Sequence, residues 1–257
     1  MSKNTDSNQY TILFAIGMVV IVGSLLAFTA SSLRPNIAEN ERMEKQQNIL
    51  YAMGINENGA TDIVFVNTDK VATEFSKYIS KQLIISSDGT AEESTKAFKI
   101  NVKKEQAKAK SGGARALPLF IGEKEGQSYY IIPIRGKGLW DAIWGYVALD
   151  EDMVVQGVFF DHAAETPGLG ANIKQRYFMD DFIGEKLLSS DGDFKGITVA
   201  KGNNDPKNLV KDDYEVDALA GATITGDGVS AMIKSDLKLY LPYFNNLKNQ
   251  LLSLIHI

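Results

Sequence analysis

The sequence predicts an α+β fold: a single N-terminal transmembrane helix followed by a mixed domain. Three observations predict it. Residues 10–33 form one uninterrupted apolar run, short β-rich segments further on bracket tight turns, and those segments mix with helical patterns in no regular βαβ rhythm.

The apolar run YTILFAIGMVVIVGSLLAFTASSL holds no ionisable side chain except Tyr10. At about 1.5 Å per residue it reaches roughly 36 Å, enough to cross a hydrocarbon core of about 30 Å with some tilt. Tyr10 and Arg34 mark its ends, and Pro35 is expected to stop the helix. A cleaved signal peptide is the competing reading. Against it, the run is too long, Lys3 is the one basic side chain before it, and no small-x-small cleavage site follows. The expected organisation is a tail over residues 1–9, an anchor over 10–33, a juxtamembrane helix over 34–54, and a soluble α+β domain over 55–257. Arg34, Arg42 and Lys45 outnumber Lys3, so a count of basic residues alone would put that domain in the cytoplasm.

Within residues 36–54, Ile37, Met43, Ile49, Leu50 and Met53 are the apolar positions of a polar helix. Residues 69–80 read as a short helix leading into a strand near residues 83–85. The Lys- and Gly-rich segment 103–115 reads as an exposed loop or helix end. Residues 117–121 and 128–133 form a strand pair around Glu123-Lys124-Glu125-Gly126, and residues 144–149 and 153–160 a second pair around Asp150-Glu151-Asp152. Residues 172–188 read as a helix with Ile173, Tyr177, Phe178, Phe182 and Leu187 as its buried stripe, and 197–200 as a strand. Residues 227–240 carry Val229, Met232, Ile233, Leu237 and Tyr240 at helical spacing, and Pro242 interrupts before a last amphipathic stretch.

Composition excludes several chemistries. There is no cysteine, which removes disulfides, thiolate metal sites, iron–sulfur clusters and Cys nucleophiles. His162 and His256 are the only histidines, too few for a His-rich metal centre. A net charge of -5 argues against a nucleic-acid surface. Redox chemistry in this chain therefore needs an organic cofactor.

One segment combines small residues with hydroxyls at the start of a helix: Asp217-Ala-Leu-Ala-Gly-Ala-Thr-Ile-Thr225. Ala220, Gly221 and Ala222 allow close approach to the backbone, and Thr223 and Thr225 stand where a helix N-terminus favours phosphate. Local physics equally allows an ordinary cap, with Thr225 or Asp227 accepting from first-turn amides. This segment resembles the flavinylation motif of the FMN-binding domain family, aspartate-x-x-Ser/Thr-Gly-Ala-Thr/Ser-x-Thr. Here Ala220 stands where the family usually has Ser or Thr.

The resemblance implies that Thr225 accepts FMN through a phosphodiester, made by a flavin transferase that uses FAD as donor and Mg²⁺. It makes Asp217 the leading acid and Gly221, Ala222 and Thr223 the motif core. His162-Ala-Ala-Glu165-Thr166-Pro-Gly168-Leu169-Gly170 is similar to the family's Glu-Thr-Pro-Gly-Leu-Gly loop, which implies that Glu165, Thr166, Gly168, Leu169 and Gly170 contact the flavin. From the residues alone the same loop could be a rigid surface turn, and His162 a flavin or water contact or a local hydrogen-bonding group. Gly136-Lys-Gly-Leu139-Trp140-Asp141 is similar to a segment found in one flavin-carrying component, the C component, of sodium-translocating NADH:quinone oxidoreductases. That similarity adds Leu139 and Trp140, with core packing as the other reading of the Trp.

The resemblance implies an electron carrier with covalent FMN and no metal, not catalytic alone. It would work inside a membrane oxidoreductase complex in the bacterial cytoplasmic membrane, its flavin-binding region over about residues 130–257 facing the periplasm. Its implied partners are the other subunits, the transferase and membrane lipid. Two other readings remain open: the G component of an Rnf-type complex, with the same linkage, and an anchored extracytoplasmic binding or scaffold domain without cofactor.

Overall fold

The computed structural model describes residues 7–59, 62–203 and 205–255. Lys3 and His256 lie outside the described residues, as does the expected tail up to residue 6. The chain divides into two compact units, residues 1–45 and 46–257.

The first unit consists of most of helix α1 (Asn8–Ala52). Its apolar side chains face outward: Leu13, Val19 and Phe28 are 69%, 72% and 73% exposed. A helix that is apolar all round and covered by no protein suits lipid. By length and composition it is the one candidate span among the described residues. Pro35 does not stop it. Proline removes a single N–H donor, and the long helical stretches on both sides propagate through that local loss.

The second unit begins with the last turns of α1, where Ile49, Leu50 and Ala52 are fully buried. A six-stranded antiparallel sheet forms its centre, in the order β2-β1-β3-β4-β5-β6. The strands are β1 (Ile79–Ile85), β2 (Ala91–Glu93), β3 (Leu117–Lys124), β4 (Gln127–Lys137), β5 (Ala142–Leu149) and β6 (Val155–His162). The β3–β4 hairpin closes at Glu125 and Gly126, both at positive φ (55° and 81°), as a two-residue turn that matches strand twist requires. Gly157 lets the sheet take the end of α1: a Cβ there would lie 2.4 Å from the Ala52 carbonyl oxygen.

Two helices precede and interrupt the sheet, α2 (Val71–Tyr78) and α3 (Val102–Lys110). The basic segment after α3 is not all solvated surface. Arg115 is mostly buried, and its Nη1 lies 2.9 Å from Asp236 Oδ1. Asp236 is 2% exposed and also accepts from the Arg135 amide at 2.8 Å and from Gln106.

The expected helix over residues 172–188 is mostly not helical. A 3-10 turn spans Gly170–Lys174, and α4 is only Arg176–Asp180. Gly184 then takes φ +87°, and residues 186 and 188 make isolated bridges. Ile173, Phe178, Phe182 and Leu187 are buried, whereas Tyr177 is exposed. The apolar spacing serves a packed loop instead, in which Phe160, Phe178 and Phe182 meet at ring-centroid distances of 5.1 to 6.1 Å.

Short parallel strands β7 (Thr198–Val199) and β8 (Glu215–Val216) lead to α5 (Thr223–Leu237). α5 packs on β4 by way of two glycines. A Cβ on Gly228 would lie 2.3 Å from the Lys137 carbonyl oxygen, and one on Gly136 2.7 Å from Met232 Cβ. Val229, Met232, Ile233 and Leu237 form the buried face. Pro242 sits in the first turn of α6 (Leu241–Ile255), where no N–H is needed, so it starts a helix there.

Candidate functional site

Three segments far apart in sequence converge at the N-terminus of α5. They are the loop after β6, the turn between β4 and β5, and the segment 219–225. Leu219 to Ala222 form a turn closed by the Ala222 N–H to the Leu219 carbonyl at 3.0 Å. Gly221, its third residue, has φ +68°, a conformation that glycine adopts without strain. A side chain at Gly221 would also meet Leu169 Cδ2 at 2.8 Å, so this turn and the loop after β6 fit closely.

The helix begins at Thr223, four residues earlier than the sequence pattern indicates. Ala222 occupies the cap position and no side chain caps the helix. The ordinary-cap reading of Thr225 and Asp227 is therefore excluded: Thr225 lies inside the first turn, pointing its hydroxyl elsewhere. The amides of Thr223, Ile224 and Thr225 bond no carbonyl or side chain among the described residues, which leaves the positive end of the helix free for an anion.

Thr225 is 1% exposed, and its Oγ1 donates to Glu165 Oε2 at 2.6 Å, a short charge-assisted bond. Glu165 is 4% exposed. Its Oε1 accepts from the Trp140 amide at 2.9 Å, and its own N–H donates to His162 Nδ1 at 3.2 Å. His162 thus serves a local hydrogen bond. Burial works to raise the Glu165 carboxyl, but hydrogen bonds from Thr225 and from the amides of Trp140, Asp141 and Leu139 outweigh it and hold the group below its usual range. Gly170 and Gly138 crowd the same carboxylate. A Cβ on Gly170 would be 2.5 Å from Glu165 Oε2 and from Thr225 Oγ1, and one on Gly138 2.5 Å from Glu165 Oε1.

A cavity of about 240 Å³ opens at this place. Thr225, Thr223, Ala222 and Gly221 line one side, and Glu165, Thr166, Leu169 and Gly170 the other, with Leu139 at the edge. Trp140 stands beside it rather than in the core: it is 64% exposed, and its Nε1 donates to Thr166 Oγ1 at 3.1 Å. Leu139, Leu169 and Ile224 are also exposed, so the rim presents apolar surface to solvent. Ile224 and Gly138 belong to the site although neither stands out in the sequence. Ile224 fills the variable position of the motif, and Gly138 lies within the segment that singles out Leu139 and Trp140.

Asp217 and Gly168 fall outside the cavity lining, as Trp140 and Ala220 do. Asp217 lines a separate recess of about 20 Å³ with Asp205 and Asp213. Burial, and next the Asp217 charge, push the nearby Asp181 carboxyl up to about 6. Gly168 has φ +77° with open space beside it, and shapes the loop. Ala220, which departs from the motif, is exposed and outside the cavity lining, so its missing hydroxyl leaves the cavity itself unchanged.

The arrangement suits FMN in kind. Free first-turn amides match a phosphate, a hydroxyl faces the same cavity, and an apolar rim can cover a flat ring. The volume is below the roughly 300–1,000 Å³ of pockets that enclose a whole ligand, so a flavin here would lie partly on the surface.

Residues 138–238 match the model of the FMN-binding domain family. The NqrC component of the Na(+)-translocating NADH-quinone reductase from Vibrio anguillarum is 31% identical over 89% of this chain and 90% of its own length. Its counterpart from Pseudomonas aeruginosa is 29% identical over 90% and 91%. Among solved structures, the same component from Parabacteroides distasonis superposes with a TM-score of 0.70 at 30% identity, over 82% of this chain and 96% of that one. Shewanella oneidensis NqrC, at 24% identity and a TM-score of 0.63, shares the fold over 82% of this chain and 99% of that one.

Proposed function

The chain belongs to the NqrC family of Na(+)-translocating NADH-quinone reductase components, and on that premise we propose that it relays electrons through FMN esterified to Thr225. One observation carries the reading: the Thr225 hydroxyl, the free first-turn amides of α5 and an exposed apolar rim share one cavity. When bound, FMN supplies one- and two-electron redox chemistry. The chain supplies position. The amides of Thr223, Ile224 and Thr225 hold the phosphate, and Leu139, Trp140, Leu169 and Ile224 offer surface to the ring. A ring at the surface can exchange electrons with a neighbouring protein of the complex. Covalent attachment prevents loss of the cofactor where free FMN is scarce.

In this reading α1 anchors the chain in the cytoplasmic membrane and the flavin domain faces the outer side. Arg34, Arg42 and Lys45 would favour the opposite topology, yet large domains translocate despite flanking charge. The partners are the other subunits of the complex, lipid around α1, and a flavin transferase during maturation.

The test is in-gel fluorescence of the denatured full chain after co-expression with a flavin transferase. The wild-type band is expected to fluoresce under ultraviolet light, Thr225→Leu to be dark, and Thr223→Val to be weakened. A fluorescent Thr225→Leu band would place the attachment elsewhere.

A further inference from the structure

The Thr225 hydroxyl is not simply available for attachment; it is already engaged with a carboxylate of its own chain. We propose that Glu165 is the general base of flavin attachment, so that the acceptor side of the reaction is built into this protein and not supplied by the transferase alone. The inference rests on the reading that Thr225 receives the flavin.

The geometry has the three parts of an activated nucleophile: the hydroxyl, a base in hydrogen-bond reach, and a group that orients the base. Thr225 Oγ1 is the nucleophile, Glu165 Oε2 accepts its proton at 2.6 Å, and the Trp140 amide fixes the other carboxylate oxygen at 2.9 Å. The pair has almost no freedom. Glu165 is 4% exposed, its backbone N–H is tied to His162 Nδ1, and Gly138 and Gly170 leave no space for even a methyl on either flank. A carboxylate held this tightly on a threonine hydroxyl contributes little to a merely apolar cavity, and a neutral acceptor would cap the hydroxyl without desolvating a charge.

The donor is a flavin nucleotide whose phosphate is activated as a pyrophosphate. Thr225 Oγ1 forms a bond to the flavin-bearing phosphorus, and the P–O bond to the second phosphorus breaks. A nucleoside monophosphate leaves with that electron pair, and the Thr225 proton passes to Glu165 Oε2 and then to solvent. The free amides of Thr223, Ile224 and Thr225 lie on the same cavity side and stabilise charge developing on the phosphoryl oxygens.

The experiment uses the full chain in detergent micelles with purified transferase, flavin dinucleotide and Mg²⁺, reading flavin attached per chain by mass and fluorescence. Glu165→Gln keeps the shape and an acceptor oxygen but removes the base. Its turnover at saturating acceptor is expected to fall at least about a hundredfold, with the half-saturating acceptor concentration unchanged and the fold intact by circular dichroism. Glu165→Asp, one carbon short of Oγ1, is expected to fall in between. Should the Gln variant not fold, the Asp variant carries the test alone with a loss of roughly tenfold. A Gln variant within about threefold of wild type, or an Asp variant at the wild-type rate, overturns the inference, while a flavin on wild-type Thr225 leaves the functional reading standing. A wild-type chain that takes no flavin at Thr225 overturns both.

Discussion

Gly170→Ala puts a methyl where the site has no room for one. The added carbon would lie 2.5 Å from both Glu165 Oε2 and Thr225 Oγ1, and 3.2 Å from Glu165 Cβ, whereas ordinary contact begins at 3.4 Å. The two oxygens must each retreat by about 0.9 Å from the same carbon, and close packing offers few ways to do so. Glu165 is held from behind by the Trp140 amide and Gly138, and Thr225 by the helix backbone. Overpacking of this kind costs about 1–3 kcal/mol, and weakening a charged hydrogen bond about 1.5–3 kcal/mol more.

A total of about 2.5–6 kcal/mol lowers Tm by roughly 5–24 °C in a chain of this size. Misplacing the hydroxyl by a sizeable fraction of an ångström is expected to slow flavin attachment at least about tenfold. Circular-dichroism melting of the full chain in detergent and the rate of fluorescent labelling measure both effects. Gly192→Ala is the control: its φ is +84° with nothing within 4 Å, so it should lose about 1–2 kcal/mol to backbone strain and label normally. A Gly170→Ala protein that melts and labels like wild type would refute the packed Glu165–Thr225 geometry.

Asp236→Ala removes the partner of Arg115, the Arg135 amide and Gln106 at once; a loss of about 3–5 kcal/mol is expected, seen as a lower Tm with little change in labelling of protein still folded. Glu185 is fully buried, with Lys211 Nζ 3.4 Å from Oε1 in a geometry that makes no hydrogen bond. Burial, offset in part by Lys211, pushes its carboxyl from 4.5 up to about 7. The folded state therefore keeps a proton that the unfolded state has released, and this group's contribution falls as pH rises from about 4.5 to about 7. Glu185→Gln should accordingly raise Tm at about pH 8 and have little effect at about pH 4.5; an equal effect at both would contradict a raised carboxyl.

The sequence discloses most of the sheet because its turns are local. Glu125-Gly126 and Asp150-Glu151-Asp152 each lie between apolar runs, and both close hairpins in the structure. Residues 172–188 mislead because Phe178 and Phe182 recur at helical spacing while Gly184 and the bridges around it prevent a helix. The sequence pattern places the start of α5 too late, since Gly226 and Gly228 argue against helix locally and are required for close packing on Val199 and Lys137. Thr225, Gly221 and the loop at 165–170 are legible as motifs. The Thr225–Glu165 bond is not, because it joins residues 60 positions apart, and nothing in either motif names the other. Asp217 shows the converse: a motif position that folding directs to a different recess.

The most direct test is the mass of the proteolytic peptide containing Thr225, taken from chain purified out of its native host's membranes. The account predicts that this peptide is heavier than its sequence by one FMN less one water, with fragmentation assigning the addition to Thr225. A peptide of unmodified mass, in preparations where the complex is active, would contradict it.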